Sequence, residues 1–322
     1  MRKALCVGIN YYESCSSLHG CVYDAETVAQ VLSINDDSSV NFETKLLTAE
    51  DSSSAVTAPL LKSAIKELFK GDPDIALLYY SGHGAVDTEG GFLCTSEIES
   101  PDEGVSLNDV MTIASKSEAR TKIIILDSCH SGTAGNHEAM PNYCLLPNGT
   151  IILSACGEKE YAVERGGHGV FTSLLVQALL GGAMNILGEV SPGSIYSYID
   201  RSLGAWDQRP VFKANIKNFV CIRKNRPSIT LDELKQITRF FKYAQHQFPL
   251  DPTYEEDKDK TENKEVNKAH EEDFKLLRKY HSLNLVEPVG ETYMYWAAIN
   301  SKACCLTPLG QHYWRLVRTG KL

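Results

Sequence analysis

The chain has 322 residues, 43% of them hydrophobic and 23% charged, and a formal net charge of -9. At roughly 100–200 residues per domain this is one large domain or two, and an apolar share near the ~45–50% of globular chains excludes wholesale disorder and a coiled coil. No apolar run approaches the ~18 residues that cross a bilayer, and the negative charge argues against a general phosphate-binding surface.

Short apolar runs alternate with helical periodicity over the first two thirds. Residues 4–9 predict a strand and 24–32 an amphipathic helix; 42–47 alternates as a strand. Leu60, Leu61, Ile65 and Leu68 fall at helical spacing within 58–69. The run 75–80 is a continuous apolar strand that ends in Ser81-Gly82-His83-Gly84. A helix over 107–114 leads to the strand 123–126 and then Asp127-Ser128-Cys129-His130-Ser131-Gly132. The strand 150–153 and the helix 170–180 follow, and Arg209-Pro210-Val211 opens a last strand, where a proline suits an edge. This order predicts an α/β fold, a mostly parallel sheet with helices on both faces, and chemistry just beyond the carboxyl ends of the strands. Both polar motifs lie there.

After residue 223 the character changes. The expected organisation is a first domain over 1–223, a helical connection over 224–250 and a charged linker or exposed helix over 251–273. A small, mainly α domain over 274–322 follows, winged-helix-like in its element order. Residues 228–245 read as one helix. Tyr293, Tyr295, Trp296, Tyr313 and Trp314 are expected to fill the core of the small domain. Arg315, Arg318 and Lys321 give a basic last helix, read as charges favourable at a helix C-terminus rather than as a nucleic-acid surface. The ten cysteines are scattered, without a Cys-x2-Cys pair, and the first apolar run is short for a signal peptide. Reduced thiols, no structural zinc and a cytoplasmic location are expected.

A thiol nucleophile needs a base to take its proton and donors aimed at the oxyanion that forms. His83 and Cys129 stand at the mouths of two strands, and neighbouring parallel strands would bring both to one edge of the sheet. The Gly84 and Cys129 amides are the candidate oxyanion donors. His130 is the rival base, disfavoured because a residue next in a turn rarely faces its neighbour's side chain.

Tyr-Ser-Gly-His-Gly followed by Asp-Ser-Cys-His-Ser-Gly resembles the caspase-like cysteine peptidases of the metacaspase and orthocaspase branch, over roughly residues 1–223. The resemblance implies a caspase-hemoglobinase fold and peptide-bond hydrolysis through an acyl-enzyme. It makes Cys129 the nucleophile, His83 the general acid/base, and Gly84 with Cys129 the oxyanion hole. Gly20-Cys21-Val22-Tyr23-Asp24-Ala25 is similar to the motif that follows the family's first strand. By resemblance the S1 pocket is then Cys21, Asp24, Ser81 and Asp127. Two carboxylates in a partly desolvated pocket favour a substrate Arg or Lys and repel an aspartate. Asp24 as a helix N-cap and Asp127 as a strand-end turn carboxylate are the competing readings.

Many metacaspases bind calcium outside the catalytic site. Glu97, Glu99, Asp102, Glu103 and Asp109 offer hard oxygen ligands here, but the family's consecutive Asp pair is not reproduced, so no cofactor is expected to be essential and a solvated acidic loop is the preferred reading. Lys159, Arg165 and the lysines of 258–268 are the candidate self-cleavage points. Proteins or peptides are the expected substrates, in regulated proteolysis or a bacterial defence or cell-death pathway, with the C-terminal region as a site for an activator or partner. The rival readings are a catalytically silent scaffold and a nucleic-acid-binding regulator acting through residues 280–322.

Overall fold

Seven consecutive buried residues in Ile75–Ser81, and seven more in Thr121–Asp127, are what strands covered on both faces require. A computed structural model describes residues 1–87, 90–100, 103–128, 133–134, 136–137, 140–155, 164–165, 168–204, 209–255 and 267–322. The chain forms two units, Met1–Arg226 and Pro227–Leu322.

In the first unit the elements run β1 (Arg2–Ile9), α1 (Cys21–Ser33), β2 (Glu43–Ala49), α2 (Ala58–Leu68), β3 (Ile75–Ser81), β4 (Gly84–Asp87), β5 (Gly90–Leu93) and β6 (Val105–Ser106). Next come α3 (Leu107–Ser115), β7 (Thr121–Asp127), β8 (Asn136–His137), β9 (Met140–Cys144), β10 (Thr150–Ser154), β11 (Glu164–Arg165) and β12 (His168–Gly169). The unit closes with α4 (Val170–Gln177), β13 (Glu189–Val190), α5 (Pro192–Ser202), β14 (Val211–Asn215) and β15 (Arg223–Lys224). Six strands make the central sheet in the order β14-β10-β7-β3-β1-β2, parallel except for β14, which pairs antiparallel with β10 at an edge.

Each face of the sheet has its own core. Leu5, Val7, Leu78, Tyr80, Ile124 and Leu126 point to the face covered by Leu61 and Ile65 of α2 and Val110 of α3. Cys6, Leu77, Tyr79, Ile123 and Ile125 point to the other, with Val28 of α1, Leu175 of α4 and Ile195 of α5. The two-residue alternation of a strand therefore sends Tyr79 and Tyr80 to opposite faces. Gly8 lets α1 come close at the end of β1: a Cβ there would collide with the Cys21 carbonyl oxygen and stand 2.8 Å from Ala25 Cβ. The helix expected over 170–180 is α-helical only to Gln177. Residues Ala178–Gly182 form a π turn that ends through Gly181 at φ 120°.

Register decides where the motifs go. Ser81 pairs with both Gly8 and Asp127, so the carboxyl ends of β1, β3 and β7 lie in one row. His83 and Cys129 each follow that row by two residues. Cys129 itself, with His130, lies outside the described residues.

The second unit runs α6 (Leu231–Lys235), α7 (Ile237–Phe240), β16 (Gln247–Pro249), α8 (Lys268–Ser282), β17 (Val286–Val289), α9 (Met294–Ile299), β18 (Ala303–Leu306) and α10 (Pro308–Arg318). A three-stranded sheet in the order β16-β18-β17 accompanies the helices, antiparallel throughout. Three expectations are corrected here. The single helix over 228–245 is two short ones: α6 and α7 are separated at Gln236, and the backbone leaves the helix at Phe241, with φ -112° and ψ 104°. The charged stretch 251–273 is not all solvated: Tyr254 and Glu255 are buried, Tyr254 stacks on His270 at 4.1 Å, and α8 starts at Lys268. The core is not made by Tyr293 and Trp296, which are 63% and 47% exposed, but by Phe240, Phe241, Phe274, Leu277 and Tyr280. From Pro227 onward the expected connection also belongs to this unit, anchored by Leu234 and Ile237.

Candidate active site

His83 is held from three sides. Its backbone N–H donates to Tyr12 Oη at 2.8 Å, and its carbonyl accepts from Tyr80 Oη at 2.8 Å. Tyr80 Oη also lies 2.7 Å from the Cys94 carbonyl oxygen. The ring tilts against that of Tyr12, centroids 4.7 Å apart, and Nε2 lies 2.8 Å from the Ser16 carbonyl oxygen. A carbonyl only accepts, so Nε2 carries the proton and Nδ1 keeps its lone pair, the tautomer a general base needs. Burial holds the Tyr12 and Tyr80 hydroxyls neutral, well above the ordinary tyrosine range. Gly84 opens β4 immediately after the histidine.

On the α1 side of the row stands the acidic group. Asp24 is buried in the first turn of α1, but it is not the cap: that position is Gly20, and no side chain caps the helix. Asp24 Oδ2 instead accepts from the Gly169 amide at 3.2 Å. Asp127, buried at the end of β7, accepts from Thr172 Oγ1 at 2.6 Å through its Oδ2. Both carboxylates converge on Gly169, where a Cβ would collide with Asp127 Oδ2 and press on Asp24 Oδ2 at 3.2 Å. Gly169 is the N-cap of α4, so that helix directs its positive end at two anions and offsets part of their repulsion. Ser81, buried, lies beside them in register, and Cys21 is buried at the start of α1. The structure thus gathers Cys21, Asp24, Ser81 and Asp127 around the row of strand ends that also carries His83.

The calcium candidates do not gather. Asp109 Oδ2 lies 2.6 Å from Lys62 Nζ, and Glu103 Oε2 caps the amides of Glu99 and Ser100 at 2.7 and 3.2 Å. Asp102 lies outside the described residues, and no group of three His, Cys, Asp or Glu side chains fit to hold a metal occurs among the described ones. Asp109 thus faces an ammonium and Glu103 two backbone amides. The sequence reading missed Tyr12, Tyr79, Gly169 and Thr172; the one available signal was the pair of tyrosines in a buried strand, whose hydroxyls must find partners.

A caspase-domain profile matches residues 1–234. The chain belongs to the caspase-domain family. That is a family of cysteine peptidases, and residues 1–226 are its fold here. Among curated relatives, Metacaspase-1 of Candida glabrata is 31% identical over 148 residues, covering 41% of this chain and 37% of the relative. Metacaspase-4 of Arabidopsis thaliana is 28% identical over 145 residues, covering 41% and 34%. The matched stretch therefore spans only about a third of each relative's length. Among solved structures, a Geobacter sulfurreducens protein superposes with a TM-score of 0.52 at 22% identity, covering 70% of this chain and 97% of that one. Caspase-1 of Spodoptera frugiperda gives 0.51 at 11%, covering 70% and 90%. Both likenesses concern the fold, the caspase-hemoglobinase arrangement expected from the motifs.

Proposed function

We propose that the chain is a cysteine endopeptidase that cuts after Arg or Lys. The observation that carries this reading is the convergence of two buried carboxylates, Asp24 and Asp127, on the bare backbone of Gly169, at the strand ends that also present His83. His83 Nδ1 takes the proton of the Cys129 thiol. The thiolate attacks the scissile carbonyl, and the Gly84 and Cys129 amides receive the oxyanion. His83 then returns its proton to the leaving amine, and water attacks the thioester with His83 again as base. The Ser16 carbonyl stabilises the imidazolium in both halves of the cycle.

Charge supports a cationic substrate. Residues 1–226 carry 27 acidic and 18 basic side chains, and residues 227–322 carry 14 of each, so the whole net charge of -9 lies in the unit with the site. A neutral second unit favours a protein activator or partner over nucleic acid. Among the described residues no helix is long and apolar enough to cross a membrane; cytoplasmic action in a defence or cell-death pathway is the setting proposed on family grounds.

The test is hydrolysis of fluorogenic peptides that differ only at P1, Arg, Lys or Asp, beside Cys129→Ala. Cleavage after Arg or Lys that vanishes in the variant is the expected result; preference for Asp would overturn the pocket. Because Asp109 and Glu103 are engaged elsewhere, a chelator is expected to leave the rate within about twofold, and a calcium requirement would reverse that reading.

A further inference from the structure

We infer that Tyr79 and Thr172 are positioning residues for substrate specificity: a line of two buried hydroxyls, Tyr79 and Thr172, fixes the Asp127 carboxylate so that the pocket discriminates Arg from Lys. The inference rests on the reading of Asp127 as part of the P1 pocket.

The hydroxyls have a direction. Thr172 Oγ1 donates its only proton to Asp127 Oδ2 at 2.6 Å. It lies 2.6 Å from Tyr79 Oη, and having no second proton it must accept there, so Tyr79 donates. Both protons point toward the carboxylate. Tyr79 is fully buried and Thr172 is 1% exposed, so water does not compete for these bonds. Hydroxyl dipoles aligned in series strengthen the last bond and hold Asp127 in one orientation.

The alternation of β3 makes this arrangement available. Residues 75, 77, 79 and 81 face α1 and α4, as do 123, 125 and 127 of β7, and Thr172 comes down from the first turn of α4. Tyr80, facing the other way, serves His83. The Tyr79-Tyr80 pair thus supports the pocket through one residue and the base through the next.

A fixed carboxylate plane matters more to a guanidinium, which needs two parallel hydrogen bonds, than to an ammonium, which is a point charge. Loss of one hydrogen bond to a charged group corresponds to a fold-change of about 10 to 100. With P1-Arg and P1-Lys peptides of otherwise identical sequence, Thr172→Val is expected to raise KM for the Arg peptide by that factor, with kcat little changed. The Arg-to-Lys ratio of kcat/KM falls toward one. Thr172→Ser, which keeps the hydroxyl, restores both, and Tyr79→Phe shifts them in the same direction by less. If Thr172→Val does not fold, Tyr79→Phe, which removes a single oxygen, decides alone. Variants that keep KM and the Arg-to-Lys ratio within about twofold of wild type, while wild type cuts after Arg, overturn the relay and leave the pocket standing. A wild type that cuts after neither Arg nor Lys overturns the pocket, and the relay with it.

Discussion

Replacing His83 by glutamine is expected to lower kcat on a P1-Arg peptide by about 10³ to 10⁴-fold, the upper range for losing a positioned proton carrier. The measurement is steady-state hydrolysis beside thermal unfolding. Glutamine can still reach toward the Ser16 carbonyl with an amide N–H, but it has no lone pair basic enough to deprotonate a thiol. Stability should change little, because the backbone bonds of residue 83 to Tyr12 Oη and Tyr80 Oη do not involve its side chain. A variant that keeps a tenth of the activity would remove His83 as the base and return attention to His130. A wild type and variant equally silent, both folded, would favour a docking role for the caspase domain.

The sheet was legible because its strands are continuous apolar runs, and the runs end where the chemistry begins. Asp127 and His83 were found for that reason: a carboxylate directly after Ile-Ile-Ile-Leu, and a histidine two residues past the Leu-Leu-Tyr-Tyr-Ser strand end, have few structural explanations. What the runs hide is facing. In Ile75–Ser81 every residue is buried, so no polar alternation shows that Tyr79 and Tyr80 serve opposite sides. Gly169 and Thr172 were out of reach for a different cause. They meet Asp24 and Asp127 across 145 and 45 residues of sequence, and only the packing of α4 against the ends of α1 and β7 makes them neighbours. The second unit was read least well. Its core includes Leu234, Ile237, Phe240 and Phe241, whose spacing fits a continuing helix, so the pattern gives no sign that the helix ends at Phe241. Its charged stretch conceals Tyr254, one aromatic that decides that the backbone around it is packed.

The site also stores a cost that binding can recover. Two buried carboxylates near one another repel, and each loses hydration. The Gly169 amide, the Thr172 hydroxyl and the end of α4 offset this in part. On the proposed reading a substrate guanidinium completes the compensation, so part of this electrostatic repulsion becomes affinity for a cation.

That balance sets the expectation for Asp127→Asn. Removing one partner of a desolvated charge pair in a complex costs roughly 2–5 kcal/mol, so kcat/KM for a P1-Arg peptide is expected to fall by about 30-fold to several thousand-fold, mostly through KM. The free protein should behave in the opposite sense: asparagine keeps the shape, still accepts from Thr172 Oγ1 and removes like-charge repulsion with Asp24, so the melting temperature should hold or rise. Cleavage after Asp should not appear, because Asp24 remains to repel it. Stability and specificity then move apart, which a purely structural carboxylate cannot produce: if Asp127 only closed a turn at the end of β7, its replacement would lower the melting temperature and leave the ratio of Arg to Lys cleavage where it was.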